Sequence, residues 1–232
     1  MTQLRGFLSY SNTDRKLAAA VKAYVADLGV DCFMAHDDLG ISDDWKQRII
    51  EELQRMEVFI PLLSKAFKSS DWAPQELGFA VARADVPIIP LSTDGTFPFG
   101  FIRHLQGKPL TEPITDALFI APLHRRYPRH LMPVLIARMA TARTFRSAEA
   151  LMEPLRPTFK DFAPSEIDAF VEACIPNGEI WDASLCATEY IPEFIALHRE
   201  KIRAERLKAL EYQIDKRRWY HEEDPNAAPP AF

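Results

Sequence analysis

Cysteine is scarce. The three present, Cys32, Cys174 and Cys186, lie far apart with no C-x-x-C pair, so neither a disulfide framework nor a zinc knuckle is expected. A reducing compartment is the simplest home. The eight glycines are nowhere spaced as G-x-G-x-x-G, and no G-x-x-x-x-G-K-[ST] loop occurs, which excludes the usual dinucleotide fingerprint and the P-loop. Six histidines are scattered without an H-E-x-x-H, and G-x-S-x-G is missing. Zinc proteolysis and serine hydrolysis therefore lack their minimum parts. Nor is there a basic excess. With 28 Lys and Arg against 33 Asp and Glu, a net charge of −5 argues against affinity drawn from a basic face laid on nucleic acid. The longest apolar runs, around Val58 to Leu63 and Val86 to Leu91, fall far short of the ~20 residues of a membrane span. The first fifteen residues pass through charge at Arg5 and Asp14 without the apolar core of an export signal. A soluble, cytoplasmic protein is expected.

What is present is a chain of 232 residues, 47% apolar, enough to fill the core of one large domain or two small ones. Through the first ninety residues, short apolar runs alternate with helical patterns. The runs are Leu4 to Tyr10, Val30 to Ala35, Val58 to Leu63 and Val86 to Leu91, of a kind that suits strands buried on both faces. Between them, Asp14 to Leu28 carries apolar residues at helical spacing and closes at Gly29. Asp43 to Met56 and Gln75 to Ala84 repeat the pattern. Strict β-α-β-α order predicts a parallel sheet with helices on both faces. Ligands of such sheets bind beyond the strands' carboxyl ends, so the loops after Tyr10, Ala35, Ser64 and Ser92 are the ones to inspect.

After Thr93, Gly95, Pro98, Gly100, Gly107, Pro109 and Pro113 break any long element and predict a loop region. From about His130 only helical patterns follow: Leu131 to Thr141, Ala148 to Leu155, Ser165 to Cys174 and a long one from about Pro192 to Tyr220. The expected division is residues 1–125 in the α/β domain, 126–223 in an all-helical domain and 224–232 in a disordered tail. Over Glu200 to Arg218 basic and acidic residues alternate, which fits a solvated helix on its own domain or a helix that binds a partner.

The first strand ends in Ser9-Tyr10-Ser11 rather than in the acidic residues of a response-regulator receiver. The later loops carry His36-Asp37-Asp38-Leu39-Gly40 and Ser69-Ser70-Asp71-Trp72-Ala73-Pro74-Gln75-Glu76. Taken in order with Gly6-Phe7-Leu8-Ser9-Tyr10-Ser11, Phe59-Ile60-Pro61-Leu62-Leu63-Ser64 and Glu76-Leu77-Gly78, this constellation resembles the TIR (Toll/interleukin-1 receptor) domain family over roughly residues 1 to 120. The stretch Ala35 to Ile41 and the run from Trp72 to Ala80 look like the bacterial branch, and the Pro-Gly of the animal receptors' BB loop is missing. The resemblance implies a flavodoxin-like α/β fold. It also implies cleavage of NAD+ between nicotinamide and ribose by a glutamate four residues after a tryptophan, here Glu76. Substrate contacts are expected from Ser9, Tyr10, Ser11, Asp37, Leu39, Trp72 and Arg103, with no cofactor and no metal. Enzymatic relatives carry an arginine in the first loop that meets the pyrophosphate. This chain has Ser11 and Asn12 there, so Arg103 or backbone amides have to substitute.

Chemistry explains why one carboxylate suffices. Nicotinamide in NAD+ is already a cationic leaving group, so the general acid of a two-carboxylate glycosidase is not required. An anion beside the developing oxocarbenium, in a site that limits water, is what the reaction needs. If Asp71 caps the following helix, Glu76 sits near its positive end, which favours the carboxylate by about 0.3 to 1 kcal/mol and opposes the upward pKa shift that burial causes.

Each residue also has a plainer role open to it. Glu76 fits a first-turn acid that stabilises its helix, and Trp72 a core anchor. Ser9 and Ser11 fit caps of the next helix, Tyr10 a packing residue, and Asp37 and Asp38 a solvated turn. His36 reads as a loop histidine, and Phe99, Phe101 and Arg103 as loop packing rather than a closing lid. At the level of the whole protein, the resemblance implies an NAD+ glycohydrolase in bacterial defence or signalling that self-associates through its TIR domain, with a regulatory partner for the helical part. The rivals are a TIR scaffold without turnover and a module that senses a nucleotide in the same cleft.

Overall fold

The computed structural model describes residues 3–34 and 45–222. Two compact units make up the chain, Met1–His130 and Leu131–Phe232. The first is built on five parallel strands, β1 (Leu4–Ser9), β2 (Val30–Phe33), β3 (Val58–Leu63), β4 (Leu91–Ser92) and β5 (Lys108–Pro109), in the order β2-β1-β3-β4-β5. That is the expected flavodoxin-like order, in which the chain reverses direction across the sheet between β1 and β3. Helices α1 (Arg15–Ala26), α2 (Trp45–Arg55), α3 (Lys65–Ser69), α4 (Ala73–Ala82) and α5 (Ile120–Arg126) connect and follow the strands.

Period-two alternation decides which side chains meet which helix. Phe7 of β1 and Phe59 and Leu63 of β3 share a buried cluster with Ile49 and Leu53 of α2 and with Leu77 and Ala80 of α4. Ser9 lies two residues beyond Phe7 and so faces the α4 side of the sheet. At the other end of α1, the helix closes at Gly29, whose φ of +76° suits glycine. A Cβ at that position would come 2.6 Å from the His130 ring.

The fourth strand is shorter than its apolar run suggests. Between Val86 and Leu91 the pairing with β3 reduces to one isolated bridge, Phe59 with Ile88, before the ladder resumes at Leu62 with Leu91. Proline is the cause: after Phe59, whose amide donates to the Pro87 carbonyl at 3.0 Å, the next β3 position facing the fourth strand is Pro61, which has no N–H to give. Beyond it, the region expected to be loop contains β5, whose Lys108 amide donates to the Pro90 carbonyl (3.1 Å) and whose neighbour Leu110 donates to Ser92 (2.8 Å). Gly107 and Pro109 masked this short pairing in the sequence. The helix from Asp14 is also shorter, because residues Asn12–Asp14 form a separate 3-10 turn.

The second unit is all-helical, with α6 (Pro128–Met139) entering it, then α7 (Phe145–Met152), α8 (Pro164–Cys174), α9 (Gly178–Asp182), α10 (Ile191–His198) and α11 (Ala204–Glu222). Its core is aromatic: Phe170 stacks on Phe194 at 4.1 Å, and Phe159 meets Phe194 edge-on at 5.1 Å. The buried His198 donates from Nε2 to the Phe159 carbonyl at 2.8 Å. One expectation is corrected here: the long helix from Pro192 to Tyr220 is broken between His198 and Ala204, giving α10 and α11. Ahead of it, Asn177 caps α9, accepting the Glu179 amide at 3.1 Å, and a π-helical turn, Cys186–Tyr190, leads into α10. The cysteines are free and buried, and burial, with Glu149 nearby, pushes the Cys186 thiol up to about 12. Among the described residues no helix is long and apolar enough to cross a membrane. The expected disordered tail, 224–232, lies outside them.

Candidate active site

Glu76 enters the site from the fourth position of α4, where its amide makes the first full helical bond, to the Trp72 carbonyl (3.0 Å). The helix start differs from the expected one. Trp72, not Asp71, occupies the cap position, and the Ser70 hydroxyl accepts from the amides of Trp72 and Ala73, both at 3.3 Å. Pro74 sits at the second helical position, where no intrahelical donor is needed. Glu76 remains in the first turn, inside the positive field of the helix end.

Glu76 is 7% exposed, and Ser9, at the carboxyl end of β1, is 1% exposed. The Ser9 hydroxyl donates to Glu76 Oε2 at 2.5 Å. Burial pushes the Glu76 carboxyl above the ordinary glutamate range, and the Ser9 hydrogen bond pulls part of that shift back. Since Ser9 occupies Oε2, the second oxygen, Oε1, keeps its accepting capacity for a bound group. The arrangement is a single buried carboxyl group, held by one hydroxyl and a helix end, at the carboxyl edge of a parallel sheet.

Around it, Trp72 is 39% exposed and meets Trp45, the first residue of α2, edge to face at 4.6 Å and 76°. Trp72 is therefore a half-exposed surface ring rather than a core anchor. Tyr10 is buried beside Ser9. Ser11 caps nothing with its side chain; its carbonyl accepts the Asp14 amide at 2.7 Å, and its hydroxyl accepts from Thr13 at 3.2 Å. Arg103 is exposed, just past the 3-10 turn Gly100–Ile102, and no contact joins it to Glu76 or Ser9 among the described residues. Phe99 packs into the core against Phe67, with the Lys68 ammonium 5.4 Å from its ring. Phe101 and Phe97, by contrast, are 78% and 85% exposed. Asp37 and Leu39, with His36 and Asp38, lie outside the described residues. Among the described residues no group of three or more His, Cys, Asp or Glu stands ready to hold a metal ion.

The family model of the TIR domain matches residues 7–119. The N-terminal unit is a TIR domain. No curated protein matches the chain.

Within this TIR domain one linkage has no counterpart in the sequence reading. Asp14 does not cap α1 with its side chain. Its carboxylate crosses the sheet's edge instead, taking the Ser64 hydroxyl at 2.8 Å and the Thr93 hydroxyl at 3.1 Å. Ser64 in turn caps α3 by accepting the Phe67 amide at 3.0 Å. The loops after β1, β3 and β4 are thus tied at one carboxylate, five residues beyond Ser9 in the segment that follows β1. The signal available was weak. Ser64 and Thr93 sit in or beside loops flagged by topology, but only the strand order brings Asp14 between them. A second missed element is Trp45, visible as a helix residue, whose meeting with Trp72 depends on how α2 packs against α4.

Proposed function

We propose that the TIR domain cleaves NAD+ at the bond between nicotinamide and ribose. The observation that carries this reading is the buried Glu76 carboxylate, hydrogen-bonded to Ser9 at the carboxyl end of the sheet. In the proposed reaction the C–N bond breaks with its electron pair leaving on nicotinamide, which departs as a neutral pyridine. The ribose carbon becomes an oxocarbenium, and Glu76 stabilises it as an ionised carboxylate in a site of low water content, where such interactions are strong. Water then attacks, giving ADP-ribose and a proton, or a nucleophile of the same molecule closes a cyclic product. Trp72 and Trp45 supply an aromatic wall, and Tyr10, Ser11 and Arg103, with Asp37 and Leu39, are the proposed substrate contacts.

The setting that goes with this chemistry is a bacterial cytoplasmic defence or signalling protein that works as a TIR assembly. An always-active enzyme of this kind would deplete its own cell, so the helical unit is proposed to control assembly, directly or through a partner. Removal of the helical unit with oligomeric state and NAD+ turnover both unchanged refutes that control. The exposed Phe97 and Phe101 favour a second reading, a TIR scaffold that docks other proteins without turnover.

One experiment separates the two. The purified protein, concentrated to permit assembly, is incubated with NAD+ and the products are resolved by chromatography. Nicotinamide release that Glu76→Gln abolishes in a folded protein supports the enzyme. A protein that assembles but releases no nicotinamide is the scaffold.

A further inference from the structure

The helical unit holds a cavity of about 640 Å3, inside the ~300 to 1,000 Å3 range of small-molecule sites. Its two walls differ in chemistry. One is α11, which contributes Gln213, Lys216 and Arg217, spaced i, i+3, i+4 and so placed on one helix face. The other is the turn into α9, apolar at Ile175 and Pro176 and polar at its Asp182 end.

This second wall is braced from several sides. The Asn177 amide donates to the carbonyls of Met139 (2.8 Å) and Ala142 (3.1 Å). Trp181, also in the lining, donates from its indole to the Cys174 carbonyl at 2.9 Å. The Trp181 carbonyl in turn accepts Arg217 Nε at 2.9 Å. That last bond fixes the guanidinium to the cavity wall through one nitrogen and leaves the two terminal nitrogens as a fork, the geometry that matches a pair of phosphate oxygens. A site braced in this way loses little entropy when a ligand enters.

Charge selects the ligand class. Arg206 is neutralised by Asp168 at 2.7 Å and by Glu172, and Arg199 by Glu211 at 2.6 Å. Lys216 and Arg217 have no ion pair among the described residues, and the single acid in the lining, Asp182, is exposed. Two cations against one carboxylate leave the cavity positive, and its volume exceeds what an inorganic anion fills. We infer that this cavity binds an organic phosphate of mononucleotide size, its phosphate on Lys216 and Arg217 and its apolar body over Ile175 and Pro176.

Calorimetric titration of the full chain with AMP, adenosine and inorganic phosphate tests the inference. AMP is expected to bind at one site with a Kd below about 1 mM, and adenosine and inorganic phosphate each at least about tenfold more weakly. The double variant Lys216→Ala with Arg217→Ala is expected to weaken AMP by more than about tenfold. Lys216→Glu, which retains the Arg217 bond to Trp181, acts in the same direction if the fold tolerates the double variant poorly. Weakened AMP binding in the Lys216 and Arg217 variants, both outside the TIR domain, separates this cavity from binding in the TIR domain. Absent AMP binding at about 1 mM, equal binding of inorganic phosphate or adenosine, or indifference to both cation variants would each overturn it.

Discussion

Ser9→Ala removes the donor to Glu76 Oε2 and nothing else of size. Both groups are almost fully buried, so solvent does not screen the bond. A hydrogen bond to a charged group is worth about 1.5 to 3 kcal/mol, and one pKa unit is about 1.36 kcal/mol. The protonated acid keeps a hydrogen bond of about 0.5 to 1.5 kcal/mol to the same hydroxyl, so the loss that separates the two protonation states is about 1 to 1.5 kcal/mol. The Glu76 carboxyl, already raised by burial, is therefore expected to rise further by about one unit, less what a water settling in the vacated space returns. The reaction uses the carboxylate, and its acid limb follows the Glu76 pKa. In a pH profile of kcat/KM for NAD+ cleavage, the Ser9→Ala limb moves to higher pH by about one unit while the alkaline plateau stays close to that of the parent. Ser9→Thr, which restores a hydroxyl, moves it back. A profile lowered by the same factor at every pH, with its limb unmoved, refutes the reasoning and makes Ser9 a substrate contact instead.

Three further outcomes follow from particular contacts. Because the folded pKa of Glu76 lies above its unfolded value, the folded state binds more protons between the two, and stability falls as pH rises through that window; Glu76→Gln should raise Tm at neutral pH, and an advantage that persists undiminished below the ordinary glutamate pKa would show the cause is not ionisation. Asp14→Ala frees the hydroxyls of Ser64 and Thr93 and is expected to cost about 1 to 3 kcal/mol of TIR-domain stability by denaturant titration, with increased amide exchange in the loops after β3 and β4; unchanged exchange there contradicts a shared tie. Gly6→Ala drives a Cβ into the Cys32 sulfur and to 2.9 Å from Val30 Cγ1, an overpacking expected to cost about 1 to 3 kcal/mol; Cys32→Ala should recover part of it, and a double variant no better than the single one locates the strain elsewhere.

Where side chains repeat with a clear period, the fold was legible. The runs Leu4 to Tyr10 and Val58 to Leu63 became strands at the expected places, the first ending one residue early at Ser9. Proline defeated the pattern at Val86 to Leu91, because an apolar run reports burial whereas a ladder needs N–H groups. The long helix from Pro192 failed for the opposite reason: charges with fair helix propensity continue through Arg199 to Arg203, and nothing local marks the break. At the site, Glu76 and Trp72 were legible through ordered motifs and Ser9 through topology. Asp14, Ser64 and Thr93 were not, since a carboxylate that bridges three loops leaves no periodic trace, and each residue taken singly passes for an ordinary cap or turn.

The burial of Glu76 has a consequence for uptake of any cationic ligand. A carboxyl whose pKa is raised by burial holds its proton more readily than an ordinary glutamate, and a pyridinium placed against it lowers that pKa and favours loss of the proton. Affinity and acidity are then coupled, and the heat of association should vary with the ionisation enthalpy of the buffer by an amount that counts the protons discharged. A neutral isostere of the same ring would enter without that discharge.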